Sequence, residues 1–224
     1  VGGRAGPENY THIPIGPVYQ RSVADLYGFP NTICALRIRG RGVAEWLERS
    51  ASAFQQLTLG QKDQVLHNDD FPSYQFDVIL GLTYEIDPTQ PARYSAEGVM
   101  QDPNARRIKN LCYLGCPIDP EAEFIVATNN FRASTHFVLN PDLQEKVVYS
   151  APTTIRNILL NDIAKTSPLD IAVEPNWRFA DMPGTSFLFE TSPVAAKFIA
   201  DLKAVRIERV GDISEGFSRY RLYG

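Results

Sequence analysis

The chain is poor in cysteine, methionine and tryptophan, and it has no surplus of positive charge. Three cysteines in 224 residues exclude a disulfide-stapled miniature fold, which a chain of this length does not need because it can bury a full core unaided. The 22 Lys and Arg stand against 26 Asp and Glu, a formal net charge of -4. Nothing is left over to neutralise a phosphate backbone, so polymeric DNA and RNA are not expected partners. No apolar run approaches the roughly 20 residues that a spanning helix requires, and no membrane partner is expected. The opening decade VGGRAGPENY lacks the charged start and apolar stretch of a secretion signal and reads as a point inside a longer protein.

Catalytic signatures are also missing. The sequence contains no HExxH, no GxSxG, no P-loop and no GxGxxG after a strand. His12, His67 and His136 are widely spaced and read as ordinary loop or surface residues. The acid-rich stretch HNDDFPSYQFD offers His67, Asp69 and Asp70. Two-metal phosphate chemistry gathers carboxylates and histidines from separate strand ends, so a solvated loop accounts for this cluster better than a metal site does. An independent metalloenzyme built on those three residues is the least supported reading.

The patterns that are present describe a mixed α/β or α+β fold. GVAEWLERSASAFQQL places Val43, Trp46, Leu47, Phe54 and Leu57 on one helical face. TTIRNILLNDIAK and SPVAAKFIADLK repeat the pattern behind hydroxyl caps, the second with Pro193 in its first turn. Expected strands are NTICALRI, FDVILGLTYEID, RIKNLCYL, EFIVATNNF, SFLFE, VRIERV and GFSRYRLY. Cys34, in the first of these, reads as a small core hydrophobe. Cys112 and Cys116 flank YLG, which suggests a hairpin with a three-residue loop and Gly115 at its positive-φ position. That register sets the two sulfurs opposite each other, within reach of a disulfide. Zinc is not expected, because no second Cys or His pair follows at ligand spacing.

Several stretches, taken together and in order, resemble one family: GGR, RSVADLYGFPNT, GRGVAEWLERSA, FPSYQFDVILGLTYEIDPTQPARY, RIKNLCYLGCPIDPEAEFIVATNNFRAS and EPNWRF. The chain is similar to the C-terminal domain of the 5'-nucleotidase family, and within it to the bacterial bifunctional 2',3'-cyclic-nucleotide 2'-phosphodiesterase/3'-nucleotidases. The resemblance implies a four-layer α/β/β/α architecture with residues 1–224 as one nucleotide-recognition domain. It implies a preceding phosphoesterase domain, covalently linked, which holds two divalent metal ions and does the chemistry, so this chain alone is expected to be inactive. Nucleosides and nucleotides with 2',3'-cyclic or 3'-phosphates are the implied ligands, and the periplasm or cell envelope the implied location.

Site residues follow from the same resemblance. Phe29, after the LYGFPNT motif begins, and Phe131, in ATNNFR, match the two rings that sandwich the base; stacking of this kind is worth about 1 to 3 kcal/mol per base and tolerates different bases. Asn31 matches the amide that bonds the base. Arg4 matches an arginine that contacts phosphate or ribose, for which a guanidinium is suited by its paired donors. Asn130 and Arg132 flank the second ring as in the cyclic-nucleotide branch, where substrate contact, a structural salt bridge and a strand-end cap are equally open roles. Thr135 and His136 stand where the family has glycines, so side chains reshape the slot there, with His136 a possible donor to ribose or phosphate. The alternative function is a docking or structural module of a related hydrolase, with both rings buried as core.

Overall fold

The computed structural model describes residues 6–134, 146–166, 168–170, 175–202 and 204–224. In chain order the elements are α1 (Gln20–Leu26), β1 (Thr32–Arg39), α2 (Gly40–Ser50), β2 (Gln64–Val65), β3 (Leu82–Ile86), β4 (Ile108–Tyr113), β5 (Cys116–Pro117), β6 (Glu123–Asn129), α3 (Asn130–Ser134), β7 (Lys146–Thr154), α4 (Ile155–Lys165), β8 (Trp177–Phe179), β9 (Ser186–Thr191), β10 (Ile207–Asp212) and β11 (Ser218–Tyr223). Helix and strand are mixed throughout, as the sequence patterns require. The chain divides into two compact units: residues 1–10, 47–111 and 177–224 form the first, and residues 11–46 and 112–176 the second.

The first unit carries a sheet in the order β10-β11-β9-β2. The β9–β11 and β10–β11 pairs are antiparallel, and β2 joins β9 in parallel. Its apolar core is Leu57, Leu66, Met182 and Phe187, with Phe54, Phe179, Phe189 and Leu222 packed against it. The amphipathic helix expected to run to Leu57 stops at Ser50, followed by a 3-10 turn at Ala51–Ala53. At the stop the Gln55 amide, which a longer helix would bond to the Ala51 carbonyl, donates instead to the Leu66 carbonyl at 2.8 Å, and Arg107 ties the turn. Its buried guanidinium donates to the carbonyls of Ala51 at 3.0 Å and Phe54 at 2.6 Å. Phe54 instead takes up extended backbone and sets its ring edge-on to Phe76 and Phe179, at 5.3 and 5.0 Å between centroids.

Polar side chains also shorten the strand expected from Phe76 to Asp87. β3 begins only at Leu82, because the segment before it is tied to side chains rather than to a neighbouring strand. Ser50 Oγ donates to the Asp77 carbonyl at 2.9 Å and accepts from the Asp77 amide at 2.6 Å.

The second unit is built on a three-stranded antiparallel sheet in the order β6-β1-β7. Central β1 alternates with period two: Cys34, Leu36 and Ile38 are buried, whereas Arg37 is exposed. Strand β1 passes directly into α2 through Gly40, whose amide donates to the Ala122 carbonyl at 2.9 Å. A Cβ there would lie 2.1 Å from the Asp119 carbonyl oxygen, so only glycine lets the two chain segments approach this closely. Neither β7 nor α1 is foreshadowed by the sequence patterns. Helix α4 starts where expected, with Thr154 accepting from the Asn157 amide at 3.3 Å.

The expected Cys112–Cys116 disulfide is not formed, and all three cysteines are free. The loop between β4 and β5 has two residues rather than three, with Leu114 at φ 51° and Gly115 at φ 79°. Positive φ at both positions is the hairpin geometry whose twist matches the flanking strands. The pairs are therefore Cys112 with Pro117 and Tyr113 with Cys116. A one-residue change of register sends a side chain to the opposite face, so the two sulfurs do not meet.

Candidate functional site

The two rings singled out from the sequence lie beyond one end of the β6-β1-β7 sheet. Because β1 and β6 are antiparallel, with Ile33 opposite Asn129, the start of β1 and the end of β6 lie side by side. Phe29 precedes that start and Phe131 follows that end. Strand β7 ends at the same place, with Thr154 opposite Thr32. Three strand ends thus converge, as is common for sites that a rigid sheet presents on short connecting segments.

The strand expected to run to Phe131 ends at Asn129, so the ring sits on the first turn of α3 rather than on a strand tip. Asn129 causes the change: its Oδ1 accepts from the Arg132 amide at 2.8 Å, the bond by which an asparagine side chain caps a helix start. Asn130 works backwards across the sheet end, accepting from the Thr32 amide at 2.9 Å. Of the roles left open for Asn130, the structure gives it this tie between strands. Arg132 is buried, and its guanidinium carbon lies 5.4 Å from the centroid of the Phe131 ring, which backs the ring with a cation.

Phe29 is 49% exposed and Phe131 38% exposed, so neither ring is core. Phe29 meets the edge of Tyr27 with 6.5 Å between centroids. Its loop is held from below by Arg156 in α4, which donates to the Gly28 carbonyl at 2.8 Å and to the Tyr27 carbonyl at 3.3 Å. Asn31 is half-buried. Its backbone carbonyl accepts from Ile155 at 2.9 Å, and its Nδ2 donates to the Tyr27 hydroxyl at 3.2 Å. The same hydroxyl accepts from Asn129 Nδ2 at 3.3 Å.

Arg4, Thr135 and His136 lie outside the described residues. The cluster of His67, Asp69 and Asp70 belongs to the other unit. His67 Nδ1 is 3.6 Å from Asp69 Oδ1, with the carboxylate almost wholly exposed, and the Asp70 amide bonds Asn68 Oδ1 in a local turn. Among the described residues no group of three or more His, Cys, Asp or Glu side chains is arranged to hold a metal ion.

The profile of the family described as 5'-nucleotidase, C-terminal domain matches residues 3–138. The chain belongs to this family. Phe29, Asn31, Asn130, Phe131 and Arg132 all fall within the matched span. Likeness to curated relatives extends over 99% of the chain. A 2',3'-cyclic-nucleotide 2'-phosphodiesterase/3'-nucleotidase of Haemophilus influenzae is 40% identical over 235 aligned residues, covering 99% of this chain and 36% of the relative. The trifunctional nucleotide phosphoesterase YfkN of Bacillus subtilis is 39% identical, covering 99% of this chain and 15% of that protein. The chain therefore spans about a third or less of the length of these relatives. Among solved structures, a putative 5'-nucleotidase from Staphylococcus aureus aligns at TM-score 0.57 and 22% identity over 72% of this chain and 29% of its own. A 5'-nucleotidase precursor from Thermus thermophilus aligns at TM-score 0.54 and 19% identity over 76% of this chain and 29% of its own. Those likenesses place the mixed helix-and-sheet architecture with the 5'-nucleotidase C-terminal domains.

Within this 5'-nucleotidase C-terminal domain, sequence reasoning finds the rings but misses what holds them. Tyr27 sits inside the LYGFPNT motif, and Asn129 is the first of an asparagine pair at a strand end; both signals are local and readable. Arg156 carries no local signal, since it reaches its partners only through the pairing of β7 with β1.

Proposed function

We propose that this chain is the nucleotide-recognition part of a phosphoesterase that hydrolyses 2',3'-cyclic nucleotides and 3'-nucleotides, and that it grips the base between Phe29 and Phe131. The observation that carries this reading is the exposure of both rings, 49% and 38%, at one end of one sheet. Large apolar side chains in that position lose water when a flat base covers them, a gain of about 1 to 3 kcal/mol per stacked base. The names of the relatives supply the reaction class, and their greater length supplies room for the domain that performs it.

In this reading the chain orients the nucleotide and leaves the phosphorus chemistry elsewhere. Holding a substrate by a remote group lowers the entropic cost of bringing its reacting atoms into line. The two divalent ions implied by the family find no ligand set among the described residues, and no metal step is assigned to this chain. A periplasmic or envelope location is part of the same proposal and rests on the family resemblance alone.

The alternative of a docking module with its rings as core is disfavoured by that same exposure. Calorimetric titration with adenosine and 3'-AMP tests the proposal, run on the 224-residue chain and on its Phe131→Ala variant. Binding by the first and none by the second is the expected result. A folded chain that takes up neither compound at millimolar concentration would return the domain to the docking reading.

A further inference from the structure

Phe29 stands between the end of α1 and the start of β1, and the first turn of α4 holds the chain on both sides of it. Before the ring, Arg156 donates from Nη2 to the Gly28 carbonyl at 2.8 Å and from Nε to the Tyr27 carbonyl at 3.3 Å. After the ring, the Ile155 amide donates to the Asn31 carbonyl at 2.9 Å. Among the described residues no other hydrogen bond reaches the backbone of Gly28, Phe29 or Pro30. Arg156 meets no carboxylate among them either; its paired donors go to two successive carbonyls at and beyond a helix end, where the helix supplies no donor of its own.

The clamp also reaches towards the second ring. The peptide group whose carbonyl, on Asn31, takes the Ile155 amide has its N–H on Thr32, and that N–H donates to Asn130 Oδ1 at 2.9 Å. Asn130 immediately precedes Phe131. One peptide group thus links the helix that holds the loop of Phe29 to the residue beside Phe131.

We propose that Arg156 is a positioning residue for base binding: by holding the Tyr27 and Gly28 carbonyls it sets Phe29 before a base arrives and so raises affinity by preorganisation. This inference rests on the base-binding reading above and adds to it a residue outside the span 3–138 that the family profile matches. A ring 49% exposed has few packing neighbours to fix it, so its place depends on the backbone beneath it. A loop that must be ordered during binding gives up affinity, by about two- to tenfold for one loose side chain.

The test measures adenosine affinity by calorimetry on the 224-residue chain and on Arg156→Met, which keeps an apolar stem and removes every donor. NMR relaxation of the Phe29 and Phe131 rings is followed beside it, because a merely structural role would not single out one ring. The expected result is an affinity lower by about two- to tenfold, with the Phe29 ring more mobile and the Phe131 ring unchanged.

Unchanged affinity in Arg156→Met, or a loss of affinity without selective loosening of Phe29, would overturn the inference; if Phe131→Ala still abolished binding, the base slot would stand without it. A folded, unmodified chain that binds no adenosine would overturn both. Should Arg156→Met not fold, hydrogen exchange at the Arg156 Nε proton of the unmodified chain decides. Slow exchange before adenosine is added supports the clamp, and exchange as fast as in free arginine refutes it.

Discussion

The two units of this chain use arginine in opposite ways. In the first, Arg107 is wholly buried and ties backbone to backbone: it donates to the carbonyls of Ala51, Phe54 and Gln90, while Glu48 receives the amides of Arg107 and Ile108. Burial pulls the Arg107 pKa down to about 10, against the pull of Glu48 and Asp87. In the second, Arg156 holds the loop of one exposed ring by its carbonyls, and Arg132 backs the other ring. One guanidinium closes a core. The other two brace rings that stand partly in water.

Substitutions that separate these two uses have effects of different size and kind. The largest is expected from Arg107→Leu, which takes the donor from the carbonyls of Ala51, Phe54 and Gln90 and the opposite charge from beside Glu48. Removing one member of a buried charged network costs about 3 to 5 kcal/mol, to be read as a fall in the urea midpoint. The ligand affinity of whatever fraction stays folded should be unchanged.

Phe131→Ala should do the reverse. It removes about 1 to 3 kcal/mol of base binding, while a ring already 38% exposed costs the fold less than a core phenylalanine would. Calorimetry beside a thermal melt separates the two effects. Loss of stability to match the loss of binding would mean that the ring is core after all.

Smaller still is Thr154→Ala, which removes the cap from α4. A lost cap costs about 1 kcal/mol. Since α4 carries Arg156, exchange of the Tyr27 amide, which donates to the Val23 carbonyl at 3.0 Å, should quicken along with that of α4 itself. Unchanged exchange at Tyr27 would uncouple the loop of the first ring from the helix.

The least effect is expected from acid, and it belongs to the first unit. The Arg221 guanidinium, with help from Ser186, holds the Asp63 carboxyl below the usual carboxylate range. Glu208 is lowered by Tyr223 and Arg206, and Asp212 by Ser218 and Arg209. A carboxylate whose folded pKa is depressed contributes stability above its unfolded value, near 4, and loses it as the pH falls through the folded one. Melting temperature should therefore drop below about pH 4, and Asp63→Asn should shallow that drop. These pairs are exposed to solvent, so each contributes modestly. A pH profile that Asp63→Asn leaves untouched would mean that other groups set it.

Much of this was legible in the residues. The alternation of β1 and the cap of α4 were local patterns, and the two phenylalanines lay in motifs short enough to recognise. Periodicity and capping act within one turn or a few residues of strand, which is the range over which sequence order is also spatial order. The failures were non-local. The helix that stopped at Ser50 and the strand that began late at Leu82 were overruled by the bond from Gln55 to Leu66 and by those from Ser50 to Asp77, partners distant in the chain. The hairpin of Cys112 and Cys116 failed by a single residue of register, because the two-residue turn with positive φ at Leu114 and Gly115 is the form whose twist matches the strands.

By itself, then, the sequence determined the mixed fold, the family and the pair of rings, because each rests on neighbours along the chain. Only the tertiary structure decided that Asn129 caps α3 and that Tyr27 engages Asn31 and Asn129 together. Those bonds exist because the antiparallel pairing of β1 with β6 brings residues about a hundred positions apart within 3.3 Å, and a hydrogen bond depends on distance and angle rather than on order.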